Sequence, residues 1–235
     1  MSVLVVVLSG LLGWVFSLLV FLLRKSGNQI PYTIFTFGIN IIRSVPQILG
    51  ILLLYFLITF LMLQNIVNNI YIIMFLMAFS IATFQFLEIM DLLVERIDFY
   101  RKTDFFNALL VCGVKELKII NKEIFLKSSR GHILNKLIAL FGSTIFLQCS
   151  IDFILSIGLS TKISSVNFPL TLGNLLARID SKQDILAIGH TLMNPTYFSN
   201  LFFEHLQGIT IAFVIVFTLL CIYKISNALM ERLES

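Results

Sequence analysis

Long uninterrupted apolar runs constrain this chain more than any other feature. Residues 3–23, 45–63, 70–87, 133–157 and 208–223 are apolar and carry almost no charge. About 20 such residues cross the hydrocarbon of a bilayer as a helix, since each adds about 1.5 Å. Lipid offers no hydrogen bonds to an open backbone, so runs of this kind must satisfy their own backbone groups as helices. Composition agrees. The 235 residues are 58% hydrophobic and only 13% charged, whereas a soluble domain is roughly half apolar and about a quarter charged. The expected fold class is therefore an all-α, polytopic membrane protein with five transmembrane helices in one domain, residues 1–235.

The first run has no basic residues before it and is closed by Arg24 and Lys25. A cleaved signal peptide has the reverse charge order, so a retained span is expected. The second run starts at Arg43-Ser44-Val45-Pro46, where the proline suits a first helical turn that has no use for its missing N–H. A polar hinge over residues 64–69 leads into the third run. Residues 30–42 are apolar but too short to cross alone; they are expected as an interfacial amphipathic helix or as an extension of the second span.

Basic residues set the expected direction. The 24–43 loop, the region from residue 88 to Lys136 and the C-terminus together hold 14 of the 17 Lys and Arg residues; Lys162, Arg178 and Lys182 hold the rest. Under the positive-inside rule this implies an inner, cytoplasmic membrane location with the N-terminus out and the C-terminus in. Net charge of +4 is then membrane asymmetry and implies no nucleic-acid partner. Residues 160–207 form an outer segment, with short helices expected over 168–177 and 184–193.

Chemistry-bearing residues are few. Cys112, Cys149, Cys221, His132, His190 and His205 show no metal-ligand spacing. No phosphate-binding glycine motif is present and no catalytic triad signature joins Ser, His and acid residues, so no catalytic residue is assigned. Asp152 lies inside an apolar run near Gln148 and Ser150. An acid at that depth favours a bundle interior or a wet pathway, although Asp152 is also placed to reach outer water or Arg178. Glu88, Asp91 and Glu95 share one helix face by their spacing and are expected to be solvated.

The charged stretch 101–126, RKTDFFNALLVCGVKELKIINKEIFL, is the remaining feature. Asp104 is expected to N-cap a two-turn helix. Phe105, Ala108, Leu109 and Cys112 would form its apolar stripe, and Gly113 would end it. A second helix is expected over 114–124.

Asn107-Ala108-Leu109, Gly113 and the apolar end at Ile124-Phe125-Leu126 resemble the cytoplasmic EAA loop of ATP-binding-cassette (ABC) importer permeases. Arg24-Lys25-Ser26-Gly27, Ile39-Asn40-Ile41-Ile42-Arg43-Ser44-Val45-Pro46, Leu172-Gly173-Asn174-Leu175 with Arg178, and the tail Ser226-Asn227-Ala228-Leu229-Met230-Glu231-Arg232-Leu233 are similar to the methionine-importer permeases. Asn107 stands where that family has glutamate, and residues 167–171 replace its glycine run.

The resemblance implies a type I ABC importer permease fold with a cytoplasmic coupling helix. It implies no cofactor in this chain, with ATP and Mg on a partner ATPase. The implied partners are that cytosolic ABC ATPase, a second permease subunit in a homodimer, an extracytoplasmic substrate-binding protein and the lipid membrane. Methionine or a related amino acid is the implied cargo. A peptide- or nickel-type permease, a secondary carrier and a membrane assembly factor are the alternatives; inverted repeats, expected of a carrier, are not evident.

Overall fold

The structure is a computed structural model that describes residues 1–27, 29–159, 181–201 and 207–234. The structure is 89% helical, and no strand occurs among those residues. Three helices are long and apolar enough to cross a membrane, or four if one bent pair is counted as a span.

Helix α1 (Ser2–Lys25) and α4 (Ile70–Tyr100) form the centre of the bundle. They run parallel: Val5 packs with Met77 and Ile81, while Arg24 reaches Asp98 at the other end. The buried face of α1 repeats every fourth residue, through Val5, Ser9, Gly13, Ser17 and Phe21. Ser9, Gly13 and Ser17 are small, so the two backbones approach closely. In lipid, helices gain little from burying apolar surface against each other, and close packing of small residues takes over as the source of attraction. Both serines satisfy themselves on their own helix, donating to the carbonyls of Val6 and Trp14.

Helix α2 (Gln29–Ser44) meets α3 (Gln47–Leu63) at a 92° bend. This angle excludes a straight extension of the second span and sets α2 across the axis of α3, as an interfacial helix would lie. Pro46 is the N-cap of α3, just before the first turn in which it was expected. Its φ of −55° is the one the ring imposes, and Val45, as the residue before a proline, is biased out of the helix. Gly50 lies under the Phe84 ring, where an added Cβ would overlap it. The hinge at 64–69 is as expected, with Asn65 at φ 56° and the Asn69 side chain accepting the Tyr71 N–H.

Helix α4 is the largest departure. Its expected span ends at residue 87, yet the helix continues without a break to Tyr100. At 31 residues it is about 46 Å long, against roughly 30 Å of hydrocarbon. Nothing between Glu88 and Tyr100 breaks a helix, and three of its four acids are ion-paired. Glu88 pairs with Lys136, Asp91 with Arg43 and Asp98 with Arg24, at 2.7–2.8 Å. Of the three acids expected to be solvated, Glu88 and Asp91 are thus half-exposed and ion-paired, while Glu95 is exposed as expected.

Helix α7 (Arg130–Leu159) runs antiparallel to α1, with Leu137 beside Gly10 and Gln148 bonded to Ser2 nearer the start of α1. Helix α8 (Ser181–Met193) covers the second short outer helix expected. Short turns, Pro195–Tyr197 and α9 (Phe198–Asn200), follow it. Helix α10 (Gln207–Glu234) packs along α7, Leu219 facing Gly142. The stretch 160–180, with Arg178 and the Leu172 motif, lies outside the described residues. Many large apolar side chains stay exposed on α3, α4 and α10, among them Leu53, Phe56, Phe75, Phe79, Phe213 and Phe217. Such an outer surface suits an apolar solvent.

Candidate docking loop and polar cluster

Residues 101–128 form a compact platform at the end of the bundle where α1 and α4 finish. Helix α5 (Asp104–Val111) is two turns long. Thr103, not Asp104, is its N-cap, and no side chain caps it: the Thr103 hydroxyl turns back to the Tyr100 carbonyl. Asp104 falls in the first turn, where its charge complements the helix dipole. The C-terminus is as expected. Gly113 has φ +79°, its N–H donates to the Leu110 carbonyl, and the Val114 N–H reaches back to Leu109. These two bonds make a Schellman motif. A Cβ on Gly113 would touch nothing within 4 Å, so backbone conformation and not internal packing calls for glycine there.

The expected apolar stripe is divided between two sides. Leu109 turns inward with Phe106 and Leu110, and all three join a cluster with Phe21, Leu93 and Ile97. Phe106 is the anchor, at 3% exposed. Phe105, Ala108 and Cys112 stay on the outside together with Asn107 and Val111, the last 89% exposed. The outward face is therefore a small apolar surface bordered by Asp104 and Asn107, with exposed Arg101, Lys102 and Lys115 on either side.

Three contacts from α1 fix the platform, none of them foreseen from sequence. Lys25 pairs with Glu116 at 3.0 Å, the Arg101 guanidinium lies 5.4 Å from the Phe21 ring centroid, and the Trp14 indole N–H donates to Asn121 at 2.8 Å. These bonds join residues about a hundred apart in sequence, and no local pattern could have paired them.

The second helix expected over 114–124 takes another form. A single turn, α6 (Glu116–Lys118), passes into a π-helical segment, Ile119–Ser128. Ile119, Ile120, Ile124 and Phe125 are its buried residues. On an α-helix, residues five apart point about 140° away from each other, which would leave half of this set in water. An i→i+5 ladder brings both pairs to one side. Its last bond, Ser129 N–H to the Ile124 carbonyl, is 2.7 Å.

The proposed pathway residues are not a single lining. Gln148 is buried; its carbonyl oxygen accepts from Ser2 while its amide nitrogen has no hydrogen-bond partner among the described residues. The Ser150 hydroxyl is turned to the Phe146 carbonyl. Asp152 is half-buried and acts electrostatically on Tyr55, whose buried hydroxyl also lacks a hydrogen bond. Deeper in the bundle is a polar clamp that sequence reasoning missed. Gln85 of α4 accepts from Thr144 at 2.7 Å and donates to Ser143 at 3.0 Å, both on α7. A glutamine alone in an apolar run was the available signal.

Among the described residues, no three His, Cys, Asp or Glu side chains gather as a metal set. No protein-family model, curated protein or solved structure matches the chain.

Proposed function

We propose that this chain is the membrane subunit of an ATP-driven ABC importer, with α5 as the helix on which a cytosolic ATPase docks. The observation that carries the reading is the divided helix. Phe106, Leu109 and Leu110 anchor α5 to the bundle, and Phe105, Ala108, Val111 and Cys112 remain exposed beyond it. A rigid mount under an exposed apolar face suits a device that passes a partner's movement to the spans, as rigid-body transport mechanisms require. Phe21 and Ile97, towards the ends of α1 and α4, belong to the same buried cluster as Phe106.

The rest follows from the resemblance of residues 107–126 to the EAA loop of ABC importer permeases and of residues 24–27 and 39–46 to the methionine-importer permeases. In this reading the crossings number five. The α2–α3 pair supplies the second, and α10, apolar over Phe213–Ile225, supplies the fifth. The N-terminus is outside, two copies enclose the pathway, a binding protein delivers methionine or a related amino acid, and ATP and Mg stay on the ATPase.

Ala108→Arg tests the dock because Ala108 is exposed and makes no core contact. The tagged wild-type chain is expected to co-purify with an ABC-type ATPase and to support ATP-dependent methionine uptake. The variant should elute as a folded, monodisperse protein but lose both. An intact Ala108→Arg complex, or a wild-type chain with no such ATPase, defeats the reading. Uptake of another amino acid or a short peptide in preference to methionine would defeat only the cargo assignment.

A further inference from the structure

Two buried polar groups on helices that touch, α3 and α7, have no hydrogen-bond partner among the described residues. They are the Tyr55 hydroxyl and the Gln148 amide nitrogen; Tyr55 is 1% exposed and Gln148 2%. Several observations bring them to one layer of the bundle. Leu147 and Ile151, neighbours of Gln148 on α7, are buried in the same cluster as Tyr55 and Val5. Gln148 and Asp152 are four residues apart on α7 and so lie one above the other on a single face. The Asp152 carboxylate acts electrostatically on the Tyr55 hydroxyl. Ser2 of α1 closes another side by donating to the Gln148 carbonyl oxygen at 2.9 Å. Ser150 stands apart, since its hydroxyl is turned to the Phe146 carbonyl.

A buried donor without an acceptor is costly, and surrounding hydrocarbon supplies none. Chemistry then selects the class of ligand. The Gln148 amide nitrogen can only donate, so the ligand must accept, which a bare cation cannot do. An anion would stand against the Asp152 carboxylate. A small neutral acceptor is left, and water is the one that buried polar groups ordinarily recruit. We propose that one internal water joins Tyr55 to Gln148, accepting from the hydroxyl and the amide and donating to Asp152. Asp152 keeps its own interactions, because a carboxylate accepts up to about four hydrogen bonds. Three bonds to the water are about the usual number for a buried one. Such a joint ties α3 to α7 and, through Ser2, to α1. It also brings an exchangeable solvent molecule to an acid inside an apolar run, where ionisable groups mark polar pathways. None of this depends on a docked ATPase.

X-ray footprinting of the full chain in micelles tests this, because radicals formed from a bound water oxidise the side chain beside it even where bulk solvent is excluded. After correction for intrinsic reactivity, Tyr55 should be oxidised several-fold faster than Phe86, which is 3% exposed and buried among apolar side chains. Added sodium should leave that rate unchanged. Gln148→Leu, which removes one donor to the water, should bring Tyr55 down to the rate of Phe86. Gln148→Met serves the same purpose if Gln148→Leu does not elute as a monodisperse protein. Oxidation of wild-type Tyr55 no faster than that of Phe86 would show a dry contact and overturns the proposal. A Tyr55 rate unchanged in a folded Gln148 variant overturns it as well, since the two groups would then not share the water. Suppression of the rate by sodium would show a cation in the site, which also overturns it.

Discussion

Gly13 of α1 faces Ile89 of α4 so closely that an added Cβ would stand 2.8 Å from the Ile89 Cβ and 3.1 Å from the Met90 nitrogen. The neighbour is a β-branched stem and a backbone atom, neither of which can swing away. Gly13→Ala should therefore destabilise the bundle although alanine is the better helix former, and Gly13→Leu should cost about 1–3 kcal/mol as an overpacked contact. Gly38 of α2 has nothing within 4 Å of its added Cβ, so Gly38→Ala should instead gain up to about 1 kcal/mol from helix propensity. Unfolding in mixed micelles measures both, and the opposite signs are the test.

Gly113 should tolerate asparagine better than any branched residue. Asparagine enters the left-handed region readily, whereas valine at φ +79° should lose about 1–2 kcal/mol of local stability. Hydrogen exchange at the Gly113 and Val114 amides, which hold the Schellman motif, should accelerate in Gly113→Val and change little in Gly113→Asn. Equal exchange in the two variants would show that the cap does not hold this turn.

Gln85 and Thr144 should behave as a coupled pair. Thr144→Val leaves the Gln85 carbonyl oxygen without its 2.7 Å donor, at a cost of about 1–2 kcal/mol for an unsatisfied buried group. Gln85→Leu should cost less where the site can close over the leucine. The double variant should be more stable than the sum of the two predicts, by about 0.6 kcal/mol and at most about 1.7, the range for hydrogen bonds between membrane helices. A double-mutant cycle with no coupling would show that water replaces the bond.

Arg43 and Asp91 make a two-pronged ion pair at 2.8 and 2.9 Å, with about half of each side chain exposed. Solvent screening limits such a pair to below about 1 kcal/mol. Arg43→Gln should therefore lower stability only slightly, and the difference should vanish in high salt. A large, salt-independent loss would place Arg43 in a role other than tethering α2 to α4.

The polar hinge, the glycine stop at 113 and the all-helical class were legible in the sequence because each rests on local chemistry. A turn needs polar residues, a left-handed φ needs glycine, and backbone in lipid needs its own hydrogen bonds. The inward face of α5 was not legible. Phe105-Ala108-Leu109-Cys112 and Phe106-Leu109-Leu110 are both valid helical stripes in the same eight residues, and sequence spacing cannot choose between them. The bundle chooses, because Phe106 is buried in one cluster with Phe21, Leu93 and Ile97, residues of α1 and α4 that only the fold brings near it.

The π segment and the length of α4 belong with α5. Ile119, Ile120, Ile124 and Phe125 have a spacing that fails for an α-helix, and only a bundle able to bury both pairs at once favours the wider ladder. Glu88, Asp91 and Glu95 read as one water-facing surface; Glu95 is exposed as expected, whereas Glu88 and Asp91 are paired by Lys136 and Arg43, which arrive from other helices. The sequence by itself determined that the chain is helical and where its long apolar runs lie, since those properties depend on neighbours within a turn or two. Tertiary structure decided which face of each helix is buried and which charges are paired, since those depend on residues that only folding brings into reach.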